Sequence, residues 1–133
     1  MQETPRPGAT PLTSTEGERN LPRWFAAAFD TVRRIERGSM TFALPDGREF
    51  RAAGALPGPE GRVEVRDPDL FGRLLRDGEL GFAEAYLDGW WDTPDLQAVL
   101  DAALMNNDCV TRGFGGKMLT RAVERMRHLL NAN

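Results

Sequence analysis

Residues 78–96 read GELGFAEAYLDGWWDTPDL, a run without Lys or Arg in which Phe82, Tyr86, Trp90 and Trp91 stand between four chain breakers, Gly78, Gly81, Gly89 and Pro94. Phe82, Ala85 and Tyr86 share one helical face, which predicts a short helix stopped at Gly89. Trp90-Trp91 then predicts a short strand. Thr93-Pro94 predicts the cap of a further helix whose Leu96, Val99, Leu100, Ala103 and Leu104 face inward and which Asn106-Asn107-Asp108 ends. Neighbouring strand residues point to opposite faces, so at most one of the two tryptophans is naturally core. The other is the preferred contact residue.

Reading outward toward the N-terminus, Asp67-Pro68 predicts the start of a helix with Leu70, Phe71, Leu74 and Leu75 on one stripe up to Gly78. Before it, Val63 and Val65 alternate with Arg62, Glu64 and Arg66 as a strand expects, while residues 54–61, with Pro57 and Pro59, read as a loop. Met40, Phe42 and Leu44 alternate with Ser39, Thr41 and Ala43, and Pro45-Asp46-Gly47 supplies a turn ahead of a strand around Phe50 and Ala52. Earlier still, Pro22 opens an amphipathic helix with Trp24, Phe25, Ala28, Phe29, Val32 and Ile35 on one arc, ending near Gly38. The expected fold is therefore α+β: a small antiparallel sheet of three to four or more strands packed against helices, with one buried and one wet face.

The two ends read differently. Residues 1–20 hold Pro5, Pro7, Pro11, Gly8 and Gly17 with little to bury, and are expected to be a disordered tail. Residues 21–105 form the α+β domain. Residues 106–133 are expected to be a linker and a helix with Leu119, Ala122, Val123, Met126 and Leu130 on one side and Lys117, Arg121, Arg125 and His128 on the other. From Cys109 on, five cations, Arg112, Lys117, Arg121, Arg125 and Arg127, face one acid, Glu124.

Composition narrows the function classes. A chain of 133 residues with 41% hydrophobic content holds one modest core. The net charge of -3 provides no global basic field, and no basic patch carries interleaved aromatic platforms, so nucleic acid is not an expected partner. No apolar run approaches the roughly 20 residues of a membrane span, and Cys109 alone forms no internal disulfide; a soluble, cytoplasmic protein is expected. Arginine supplies all the basic residues except Lys117, a bias that GC-rich coding explains more simply than phosphate pairing.

Three segments in order, GSMTFALPDG (38–47), PGPEGRVEVRDPDLFGRLL (57–75) and the opening 78–96 run, resemble the N-terminal domain of the cyclopropane-fatty-acyl-phospholipid synthase family over about Trp24 to Leu104. That domain is in turn distantly similar to sterol carrier proteins, a lipid-handling α+β fold. The resemblance implies a lipid- or membrane-binding accessory domain that presents phospholipid acyl chains to an S-adenosylmethionine-dependent methyltransferase domain. The glycine-rich fingerprint for that cofactor is missing from these residues, so no cofactor is expected in this chain and no catalytic residue is carried over. The implied partners are a phospholipid membrane or acyl chain and the methyltransferase domain, at the inner membrane surface.

Lipid contact requires accessible apolar rings with cations near the rim. The candidates are Phe42, Phe71, Phe82, Tyr86, Trp90 and Trp91, with Phe50 beside them, and Lys117, Arg121 and Arg125 for membrane or phosphate contact. For any one ring, core packing is the competing reading, since burying a large apolar side chain contributes about 1.5–3 kcal/mol. His128 lacks a second ligand at metal spacing, Cys109 lacks a basic partner, and Gly113-Phe114-Gly115-Gly116 reads as a joint, so neither a metal site nor a nucleophile is expected. Two alternatives stay open: a protein-interaction or dimerisation domain whose terminal helix docks a partner or a second copy, and a free-standing carrier with an internal lipid cavity.

Overall fold

A computed structural model describes residues 10–106 of the chain. Its elements run α1 (Phe25–Val32), β1 (Arg37–Ala43), β2 (Glu49–Ala53), β3 (Leu56–Val65), α2 (Leu70–Leu87), β4 (Trp91–Asp92) and α3 (Leu96–Met105). The class is mixed α+β with a four-stranded sheet in the order β2-β1-β3-β4. The terminal helix expected over residues 106–133 lies, beyond Asn106, outside the described residues.

The sheet is not antiparallel throughout, which corrects the expectation. β1 pairs antiparallel with β2, placing Phe42 opposite Phe50, but parallel with β3, placing Phe42 beside Val63. β4 returns antiparallel on the far edge, with Val65 opposite Trp91. Parallel strands require a crossover, and β2 serves as one. From Ala53 the chain passes beneath the start of β1, where Gly54 N–H donates to Gly38 O at 2.9 Å and Leu56 N–H to Glu36 O at 3.1 Å. Backbone approaches so closely there that a Cβ on Gly54 would collide with Glu36.

The segment read as a proline loop is the first half of β3. Its pairing with β1 shifts register between Arg37 and Ser39, so that Pro57, Gly58 and Pro59 fall opposite Gly38 alone. Proline is tolerated at such a bulge, where the ladder is already interrupted. Gly38 adopts φ 70°, and any side chain on it would strike the Pro59 carbonyl.

One sheet face is dry. Met40, Phe42, Leu44, Phe50, Ala52, Val63 and Val65 point from it into a core shared with α1, α2 and α3. α3 approaches β3 over Gly61, where a Cβ would stand 3.1 Å from the Cα of Val99. The opposite face is polar: Arg62 bridges to Glu49 at 2.8 Å and Glu64 at 3.1 Å.

α1 ends at Val32, well short of Gly38. The chain that follows, at Glu36 and Arg37, is held from seventy residues on, by Asn106. Its buried amide accepts the Glu36 and Arg37 N–H groups at 2.9 Å each and donates to Arg37 O and Ala102 O at 2.8 Å each. The Glu36 and Arg37 amides therefore bind a side chain where a continuing helix would have sent them to its own carbonyls. Residue 106, read from sequence as a helix stop, latches the end of α3 to the start of β1.

The tail expected to be disordered over residues 1–20 is anchored within its described part. Leu12 pairs with the outer edge of β2, donating to Glu49 O at 2.8 Å and accepting from Arg51 N–H at 2.7 Å. Arg48 holds the stretch that follows, through Glu18 at 3.3 Å and the carbonyls of Arg19 and Asn20 at 2.8 and 3.1 Å. Leu12 thereby supplies the outer edge of β2 with backbone hydrogen-bond partners.

Two outcomes follow from these contacts. Asn106→Ala leaves the Glu36 and Arg37 amides and the Arg37 carbonyl without partners, and should lower stability by about 2 kcal/mol in urea unfolding. Asp46 is held below its ordinary pKa of 3.8, chiefly by its hydrogen bond to the Arg48 guanidinium. Its contribution to stability is thus present above that value and lost as the pH falls through the lowered folded one. Asp46→Asn should remove that component of the acid-unfolding curve while leaving the curve at neutral pH parallel to wild type.

Candidate functional site

The core dictates where the accessible aromatics lie. Phe25 is fully buried, with its ring centroid 4.7 Å from Phe71, 4.9 Å from Phe50, 5.5 Å from Phe29 and 6.1 Å from Phe42. To deliver that ring at the first turn of α1, the preceding residue, Trp24, adopts a left-handed backbone with φ 72°. For a bulky residue this is an uncommon and strained conformation. Its indole is thrown outward, 54% exposed, against α2. Gly72 makes room for it, since a Cβ there would lie 3.1 Å from Trp24 Cδ1.

A second indole reaches the same place from the opposite direction. α2 bends at Gly78 (φ 66°, ψ -149°) and terminates in a Schellman arrangement: Gly89, at φ 82°, donates to Tyr86 O at 3.1 Å and Trp90 N–H donates to Ala85 O at 2.9 Å. This turn sets the register of β4. Trp91 enters the core at 1% exposure, stacked on Phe82 at 4.3 Å, with its Nε1–H donating to Phe82 O at 2.9 Å. Trp90 faces the other way.

Between the two indoles lies an open groove of about 280 Å³, lined by Arg23, Trp24, Asp69, Gly72, Arg73, Arg76 and Trp90. Asp69, Gly72, Arg73 and Arg76 are spaced i, i+3, i+4, i+7 along α2 and so share one helical face. Arg73 is the fixed element: its guanidinium lies 4.7 Å from the Trp90 ring centroid, 2.9 Å from Asp88 and 3.7 Å from Glu84. Arg23 stands 5.6 Å over Trp24. The lining thus combines apolar indole bodies with guanidinium groups, a mixture suited to a boundary between water and hydrocarbon.

The rings singled out from sequence divide into three groups. Phe42, Phe71 and Trp91, with Phe50, fill the core, which corrects their assignment to an accessible lipid surface. They cover the dry sheet face together with Phe25, Phe29, Leu70 and Leu74. Phe82 and Tyr86 are half-buried and pack on Trp91. Trp90 alone of the six lines the groove. Lys117, Arg121 and Arg125 lie outside the described residues. Sequence reasoning missed Trp24, which helical periodicity puts on the buried arc, and Arg23, Arg73 and Arg76. The spacing of Asp69, Gly72, Arg73 and Arg76 was the available signal. Among the described residues no group of three or more His, Cys, Asp or Glu could hold a metal ion, and no helix is long and apolar enough to cross a membrane.

No family model and no solved structure matches this chain. Two curated proteins do, the cyclopropane-fatty-acyl-phospholipid synthases of Escherichia coli strain K12 and of Escherichia coli O6:H1 strain CFT073. Each is 35% identical over 77 residues, covering 48% of this chain and 20% of the relative. The chain thus spans about a fifth of the length of the relatives it matches, and the similarity supports a relation to that synthase family.

If the backbone strain at Trp24 is retained for the sake of the indole's outward position, a residue that tolerates the left-handed region should relieve it. Trp24→Asn is expected to raise stability by about 1 kcal/mol in urea unfolding. A loss of stability would instead make Trp24 a packing residue.

Proposed function

We propose that residues 10–106 form a phospholipid-docking accessory domain that presents acyl chains to an S-adenosylmethionine-dependent methyltransferase domain outside these residues. The observation that carries this reading is the groove between the residues leading into α1 and the first turns of α2, where the exposed indole of Trp24 and the partly buried indole of Trp90 stand among three arginines. Indoles lodge at the boundary between headgroup and acyl chain, and each cation near an anionic lipid surface contributes about 1 kcal/mol. The relatives' name, cyclopropane-fatty-acyl-phospholipid synthase, supports a lipid substrate for a longer assembly. All helices lie on one sheet face, an arrangement compatible with a sterol-carrier-like lineage. The domain by itself is expected to transfer no methyl group, the cofactor being held by the partner domain.

A second reading has its own support. Leu80, Ala103 and Leu104 are only partly covered, around Ala83 and Leu100 between the second half of α2 and α3. Such a patch suits a protein contact, with the methyltransferase domain or with a second copy of this chain.

Co-sedimentation with phospholipid vesicles separates the two. Under the first reading, Trp24→Ala and Trp90→Ala should each weaken vesicle binding about fivefold, on the order of 1 kcal/mol. Brominated acyl chains should quench the wild-type tryptophan emission. A wild-type chain that ignores vesicles and forms a salt-insensitive dimer in light scattering would overturn docking in favour of the interaction module.

A further inference from the structure

Within the groove, the charges sort into those that other side chains neutralise and those left without a partner. Arg73 is committed to Asp88, Glu84 and the Trp90 ring. Arg76 is held loosely, by Asp77 at 3.4 Å. Arg23 makes no hydrogen bond or ion pair with any described residue, and its one partner is the Trp24 ring. Asp69 occupies the N-cap of α2, where an aspartate ordinarily accepts a backbone N–H, yet its helical φ of -69° and ψ of -6° prevent this and its carboxylate caps nothing. That carboxylate also forms no ion pair among the described residues. An unpaired cation and an unpaired anion therefore line one groove without meeting each other.

Resting on the bilayer-docking reading, we propose that this groove is a headgroup subsite for a zwitterionic phosphoamine, a phosphodiester bearing an ammonium group across a short carbon bridge. The phosphate oxygens take N–H donors from Arg23 and Arg76, whose planar forks match them. The ammonium lies against Asp69. The glycerol and methylene carbons rest on the indoles of Trp24 and Trp90. Charge balance distinguishes this ligand from its simpler relatives: a purely anionic headgroup meets the uncompensated Asp69 carboxylate, and a purely cationic one meets Arg23 and Arg76. Arg73 is a positioning residue, holding Trp90 at the groove wall.

The test uses the full chain with vesicles of phosphatidylglycerol alone, or of phosphatidylglycerol mixed with phosphatidylethanolamine, and with soluble glycerophosphoethanolamine and glycerol 3-phosphate read by tryptophan fluorescence. Binding should rise about fivefold when phosphatidylethanolamine is present, Arg23→Gln should weaken it on both vesicles, and Asp69→Asn should abolish the difference while improving binding to phosphatidylglycerol alone. The soluble arm separates the sources. Preference confined to vesicles assigns the subsite to lipid, whereas equal affinity for glycerophosphoethanolamine assigns it to a free phosphoamine. Equal binding to both vesicle types, or an Asp69→Asn variant that keeps the preference, overturns the zwitterion subsite and leaves bilayer docking intact. A wild-type chain that binds no vesicle overturns docking itself, and glycerophosphoethanolamine binding in the soluble arm then decides the subsite alone.

Discussion

The packing of Phe25 is the constraint from which the rest of this domain follows. Its ring touches the aromatic side chains of both hairpin strands and of α2 at once, so α1, the sheet and α2 meet at a single buried residue. Edge-to-face contacts of this kind contribute beyond the area they bury, and several on one ring make its position hard to adjust. The preceding backbone is the part that yields. Trp24 accepts a left-handed conformation, and the largest side chain in the N-terminal region is left facing water.

The C-terminal half of α2 solves a related problem with glycines. The bend at Gly78 requires positive φ, and at Gly81 a side chain would press on Asp77 and the Arg73 carbonyl, so glycine serves the backbone at one position and close packing at the other. The bend aims Phe82 and Tyr86 at Trp91, which completes the core at the sheet's edge. With Trp91 inside, its partly buried neighbour Trp90 lines the groove that Trp24 borders from the other side. The groove is therefore a by-product of core packing at two separate points in the chain. Its arginines are the part that core packing does not require.

That distinction connects fold to function. A core ring is explained by its burial, and the outward place of Trp24 by the packing of Phe25 next to it; neither accounts for the guanidinium groups that line the groove. On the polar face of the sheet, Arg62 is neutralised by Glu49 and Glu64. The chain is related to the cyclopropane-fatty-acyl-phospholipid synthases, and its groove sets Trp24 and Trp90 beside Arg23, Arg73 and Arg76.

Local patterning by itself determined much of this protein. Alternation at Met40, Phe42 and Leu44, the breakers at Gly78 and Gly89, and the split between Trp90 and Trp91 were all legible, because each depends on side-chain period or on the φ a turn demands. What local pattern cannot carry is which strands become neighbours. The parallel pairing of β1 with β3, the strand concealed in Pro57-Gly58-Pro59 and the Asn106 latch all join residues distant in sequence, through hydrogen bonds to the backbone that leave no periodic trace. Trp24 shows the same limit at a single residue: helical spacing assigns it inward, and only the tertiary demand that Phe25 fill the centre turns it out.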